Sequence, residues 1–112
     1  MKSDRPYLAH IADSITAIET YAIGGRDVFL VERLIQDAVV GNFEIIGGAA
    51  GTLSPNLREA ADVPWGKVIA FRNRLNHGYW NVDSRLVWDV VEHELPTLKG
   101  AVKTLLSGMP EP

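Results

Sequence analysis

Apolar residues return every three to four positions along most of this chain, the period of helices that bury one face. From Tyr7 onward Ile11, Ile15, Ile18 and Ala22 fall on one stripe, and Gly24-Gly25 ends it. A second, longer helix is predicted with Asp27 as its cap, running to about Ala50 or Thr52. Its apolar positions include Leu30, Val31, Leu34, Ile35, Ala38, Val39, Ile45 and Ile46. Leu53-Ser54-Pro55 reads as a connector, followed by one turn through Leu57 and Ala60. The next helix covers Trp65 to His77, with Pro64 in its first turn, where a missing N–H costs nothing, and Asp62 or Val63 near the cap. Gly78 is its natural stop.

Asn81-Val82-Asp83-Ser84 is predicted to be a loop ending in good caps, and the last helix runs from there to about Leu106. Leu86, Val87, Val90, Val91, Leu95, Leu98, Val102, Leu105 and Leu106 point inward on that helix, and Pro96 should kink it by removing a backbone donor. No convincing period-two segment exists, so the class is all-α. Four main helices with short links imply an antiparallel up-and-down four-helix bundle, with a short extra helical turn and a Pro-kinked last helix. The chain reads as a single helical domain over residues 1–108, with Met109 to Pro112 as a loose tail.

At 112 residues the chain can bury one core, though it lies near the size at which oligomerisation helps. A hydrophobic fraction of 46% excludes a disordered chain. No apolar run approaches the roughly 20 residues needed to cross a bilayer, and Met1-Lys2-Ser3-Asp4 is not the start of a secretory signal. No membrane association is expected, and a cytoplasmic location is. The absence of cysteine excludes disulfides and thiolate metal sites.

Net charge is −3, which argues against indiscriminate binding of nucleic acid, but the charge is unevenly spread. Residues 1–57 carry four basic and seven acidic groups, residues 58–85 carry five and three, and the remainder two and four. The only net-positive segment therefore holds Arg58, Lys67, Arg72, Arg74 and Arg85, a local basic patch on an acidic body that suits a polyanion drawn to one place.

Glycines at 41, 47, 48 and 51 in a helical stretch need a reason, because each costs roughly 1 kcal/mol relative to alanine. A phosphate-cradling loop is a weak explanation, since the first Gly-x-Gly of the dinucleotide fingerprint is absent and strands and helices do not alternate. Gly41 and Gly48 lie seven apart on one stripe, and a smooth stripe lets another helix approach, within the subunit or across a dimer.

The chemistry concentrates in Arg72-Asn73-Arg74-Leu75-Asn76-His77-Gly78-Tyr79. Arg72 and His77 are five apart, so on a rigid helix they would be separated by roughly 7.5 Å of rise and about 140° of rotation. Unwinding at Gly78 would release His77 toward the cleft that the long Arg72 side chain can reach. An arginine and an imidazole together suit a phosphodiester: one stabilises charge, the other moves protons. Taken singly, an arginine near a helix end is most often a surface group, a histidine before glycine a C-cap, and Tyr79 a packed aromatic.

Other candidates carry less. His93-Glu94 lacks the second histidine of a zinc protease signature, because position 97 is Thr97, so no metal and no cofactor are assigned. His10 is isolated, and Trp65 and Trp88 sit on apolar stripes as core. Trp80 directly follows the motif and either stacks on a base or seals a subunit contact, with the contact slightly favoured.

The Arg72-x4-His77-x-Tyr79 pattern resembles the signature of HEPN-domain ribonucleases, and more narrowly the chain is similar to HepT-like toxins of HepT/MntA-type toxin–antitoxin systems. Val63-Pro64-Trp65, Ile45-Ile46-Gly47, Val87-Trp88 and Leu95-Pro96 extend the likeness over roughly Tyr7 to Leu106. Asn76 stands where the family usually has an apolar residue, and Gly48 where it often has glutamate. The resemblance implies a metal-independent endoribonuclease working at a homodimer cleft, with Arg72 and His77 catalytic and Asn73 and Tyr79 supporting; Arg74 and Trp80, beside them in the chain, are further candidates for binding or supporting RNA. It further implies neutralisation by a nucleotidyltransferase antitoxin of the MNT type, which in some systems transfers AMP to the motif tyrosine, here Tyr79. The alternative is a non-catalytic HEPN binding module that partners a nucleotidyltransferase or holds a nucleotide.

Overall fold

Every regular element among the described residues is helical, as the 3.6-residue period demands. The structure, a computed structural model, describes residues 3–109, except for the side chain of Tyr79. Helix α1 spans Arg5–Tyr21 and buries Leu8, Ile11, Ile15 and Ile18, and a 3₁₀ turn over Ala22–Gly24 ends it. Helix α2 covers Gly25–Val31 and α3 covers Arg33–Thr52. Helix α4, Pro55–Ala60, is short, and α5, Trp65–Asn76, carries the motif. A 3₁₀ turn over Tyr79–Asn81 leads to α6, Ser84–Asp89, a π-helical turn Val90–Glu94 and α7, Leu95–Ser107.

Helix α3 is the centre of the bundle. It packs against α1 on one side and α5 on the other, while α7 lies against α1. Val39, Val40, Phe43, Ile46 and Ala50 of α3 meet the α1 stripe, Leu75 of α5 and Val91, Leu95 and Val102 of the C-terminal segment. Each of these side chains larger than alanine contributes about 1.5–3 kcal/mol by leaving water. Trp65 and Trp88 are core residues, as expected: Trp88 tilts against Phe29 at 5.4 Å between ring centres and donates its indole N–H to Glu92 at 2.8 Å.

Two expectations need correction. The long second helix is broken at Glu32, whose extended backbone (φ −100°, ψ 99°) separates α2 from α3, and Asp27 lies in the first turn of α2 rather than capping one continuous helix. The break is closed by the Gln36 side-chain amide, which donates to the Phe29 carbonyl at 2.9 Å and so satisfies an end that glutamate alone would not predict. It also resets the phase of the helix. Val31 and Leu34, two apolar positions of the expected helix, are 76% and 81% exposed, and Ile45 is 51% exposed.

Pro96 brings the expected irregularity to the last helix as a π-helical turn. It sits at the start of α7, and the lost donor is absorbed by the π-helical turn upstream, where the spacing widens by one residue without interrupting the chain of helix. The second correction concerns α5, whose N-cap is Pro64 itself rather than Asp62 or Val63, with no side-chain cap bond.

The connector before α4 is fixed by polar contacts. Ser54 accepts from Leu57 N–H and donates its hydroxyl to Asp4 at 2.6 Å, so one serine both caps a helix and ties it to the start of α1. Met109 packs against the core, and Pro110 to Pro112 of the expected tail lie outside the described residues. Among the described residues no helix is long and apolar enough to cross a membrane.

Candidate active site

One missing methyl group positions the motif helix. A Cβ built on Gly47 would run into Cβ and Cγ of Arg72, so glycine lets α5 press onto α3 and seats the base of the Arg72 side chain against backbone. Gly47 shares a stripe with the buried Phe43 and Ala50, four before and three after it, and that spacing was the signal for its role. Gly41 and Gly48, by contrast, have nothing within 4 Å of an added Cβ, so the smooth stripe they form faces outward rather than packing within the subunit.

Arg72 is half-buried, and its Nε is enclosed with no hydrogen-bond acceptor among the described residues. A buried donor left unsatisfied costs about 1–3 kcal/mol, and the indole N–H of the core residue Trp65 is enclosed in the same way. One terminal nitrogen makes a long contact, 3.4 Å, to the Asn73 side-chain oxygen.

His77 caps α5 with near-helical backbone (φ −87°, ψ 4°), and its N–H still donates to the Asn73 carbonyl at 3.2 Å. The helix therefore does not unwind to release His77, as its distance from Arg72 had suggested. Instead the ring folds back, with Nδ1 2.8 Å from the same carbonyl oxygen. A carbonyl only accepts, so Nδ1 carries the hydrogen and Nε2 is the nitrogen left to exchange a proton. Asn73 thus touches both groups, one through its amide oxygen and the other through its backbone. The helix departs its course one residue later, at Gly78, where φ reaches 141° in the left-handed region that glycine tolerates.

Arg74 is exposed in the last turn of α5, and Trp80 is 72% exposed in the turn that follows. The basic patch is narrower than its composition suggests. Arg58 is spent on the carbonyls of Gly51 and Leu53, and Arg85 forms an ion pair with Asp83 at 2.7 Å. The side-chain bond from Arg85, aided by its backbone N–H, lowers the Asp83 carboxyl to about 2, so this cap of α6 stays ionised above that pH. What remains of the patch is Lys67, Arg72 and Arg74, and no carboxylate occurs from Trp65 to Asn81.

His10 and His93 are exposed and distant in the chain from the motif, and His93 faces Glu92 at 3.6 Å. An apolar cavity of about 300 Å³ opens beside Phe43, Val68, Phe71, Leu95 and Leu98, with Lys67 and Glu94 also lining it. It backs onto the motif through Phe71, the neighbour of Arg72, but includes none of the motif's polar groups.

Comparison with known proteins covers nearly the whole chain. The family model described as "Ribonuclease HepT-like" matches residues 11–105. A "Probable ribonuclease HepT" from Thermococcus cleftensis is 32% identical over 109 residues, covering 93% of this chain and 96% of its own. A candidate RNase from Caldanaerobacter subterraneus subsp. tengcongensis is 33% identical over 108 residues, covering 95% and 96%. No solved structure matches the chain. With a helical bundle of the expected class and a match across nearly its whole length, the chain belongs to the ribonuclease HepT-like family of the HEPN superfamily.

Proposed function

We propose that the protein is a metal-independent endoribonuclease in which Arg72 and His77 act on a phosphodiester of single-stranded RNA. The observation that carries this reading is Asn73: its backbone oxygen holds the His77 ring and its side chain reaches Arg72, so one residue orients a proton carrier and a charge stabiliser together. RNA brings its own nucleophile. An imidazole takes the proton from the 2′-hydroxyl, the 2′-oxygen bonds to phosphorus, and the bond to the 5′-oxygen breaks as that oxygen receives a proton. Arg72 stabilises the phosphorane between these events, through bonds that strengthen as charge accumulates on it. Asn73 and Arg74 support the strand, and Tyr79 positions it. Cleavage is expected to persist in EDTA and to leave 2′,3′-cyclic phosphate ends, read by mass spectrometry of the products. Cutting that depends on added metal would refute the reading.

One imidazole serves poorly as base and acid at once, and a two-fold homodimer supplies two. The outward stripe of α3 supports such a pairing. Leu34, Ala38, Gly41, Ile45, Gly48 and Thr52 recur at alternating spacings of four and three, the seam of a helix that meets another helix, and Gly48 adjoins the Gly47 that seats Arg72. Ile45→Asp is expected to turn a dimer into a monomer in light scattering and to abolish cleavage with the fold kept. A cleaving monomer would separate catalysis from dimerisation.

The family resemblance extends the reading to a toxin restrained by a nucleotidyltransferase antitoxin of the MNT type. Transfer of AMP from ATP to the Tyr79 phenol, releasing pyrophosphate, would set a phosphate close in sequence to Arg72 and repel RNA. Incubation with the product of a neighbouring nucleotidyltransferase gene and ATP should add one adenylate to the intact mass, and Tyr79→Phe should remain unmodified.

A further inference from the structure

We propose that Trp80 is a stacking platform for one base of the RNA strand held at this site, an inference that rests on the ribonuclease reading and gives it a substrate form. The reasoning starts from exposure. Trp80 is 72% exposed, whereas Trp65 and Trp88 are 4% and 8% exposed, so this indole contributes little to the core. Its ring lies against the preceding turn. Two atoms of its six-membered ring, Cε2 and Cζ2, lie 3.4 Å from where a Gly78 Cβ would stand, so the ring leans on the turn that ends the motif helix. The Asn81 N–H closes that turn on the Gly78 carbonyl at 3.0 Å. His77 and the indole are therefore joined through one tight loop.

The surroundings choose between a base and a protein partner. A tryptophan that anchors a subunit contact ordinarily sits in an apolar patch. The other large exposed apolar residues, Tyr21, Ile23, Val28, Val31, Leu34 and Ile45, belong to α1, α2, α3 and the turn between them. Beside Trp80 in the chain stand exposed Asn73, Arg74, Asn76, His77 and Asn81, with the half-buried Arg72, and the carboxylate that follows, Asp83, is paired with Arg85. Cations that draw in a phosphate backbone, beside an aromatic face that accepts any base, are the two parts of a single-strand site. A duplex, with its bases stacked inside, would leave the indole nothing to cover, so single strands are selected.

The test uses the intact protein and a short 2′-O-methyl oligoadenylate, which lacks the nucleophile and is not cut. Indole emission should be quenched on titration, since the other two tryptophans are buried. Trp80→Ala should weaken binding by about tenfold, and Trp80→Phe, which keeps a ring, should stay close to wild type. One abasic position along the oligonucleotide should weaken wild-type binding to a similar degree and leave Trp80→Ala no weaker than before. Equal sensitivity of both proteins to every abasic position would overturn the proposal while leaving the ribonuclease reading standing. Conversion of a wild-type dimer to a monomer by Trp80→Ala would assign the indole to a subunit contact instead. A wild-type protein that neither binds this oligonucleotide nor cleaves RNA would remove both readings together.

Discussion

Replacing His77 with alanine is expected to lower RNA cleavage by roughly 10²- to 10⁴-fold, the usual worth of a positioned proton carrier, with the fold preserved. The ring is exposed, and among the described residues it bonds to a carbonyl that the His77 backbone N–H also serves, so its loss leaves no buried group there unsatisfied. Arg72→Lys tests the other half. Lysine keeps the charge and the aliphatic stem that packs on Gly47, but it loses the planar fork, and a large loss of rate with unchanged melting would assign Arg72 to the phosphate rather than to packing. Initial rates on a single-stranded RNA, with thermal melts of each variant, decide both. Cleavage by His77→Ala at the wild-type rate would remove the imidazole from the reaction.

The elements were legible in the sequence because apolar period, proline and glycine agree over most of the chain. Ile11, Ile15 and Ile18 lie where their spacing put them, and Gly78 stops α5 as a glycine after a helix should. The break at Glu32 was not legible. Glutamate is a good helix former, and the interaction that stabilises the break, Gln36 to the Phe29 carbonyl, spans seven residues and exists only once both helices are placed. Pro96 announced an irregularity but not its form, because a wider turn and a kink both accommodate a missing donor. At the site, residue types and order were readable, while the coupling through Asn73 was not. Spacing alone put Arg72 and His77 on different faces, and only the fold-back of the ring onto a backbone carbonyl brings both into contact with one residue. The glycines divided similarly. Composition marked them as a group; the stripe shared with Phe43 and Ala50 sets Gly47 apart from its open neighbours, and contact with Arg72 supplies the reason.

That division yields the strongest prediction about the scaffold. Alanine at a helical glycine ordinarily stabilises by about 1 kcal/mol, through reduced freedom of the unfolded chain. Gly100 lies in α7, exposed and with nothing within 4 Å of an added Cβ, so Gly100→Ala should show that gain and cleave RNA like wild type. Gly47→Ala faces the opposite balance. Its methyl meets the stem of Arg72, which is anchored at its own backbone and cannot swing aside without moving α5, and overpacking of this kind costs about 1–3 kcal/mol. The cost exceeds the propensity gain, so the net change is destabilising, and Gly47→Val should be worse again. The same displacement moves the guanidinium, and cleavage should fall more than the loss of folded protein explains when both are measured well below the melting transition. Paired melts and rates for Gly47→Ala and Gly100→Ala make the comparison direct. If the two variants gained stability equally and cleaved equally, the close approach of α3 and α5 would not exist in solution, and Arg72 would have lost the seat that aims it.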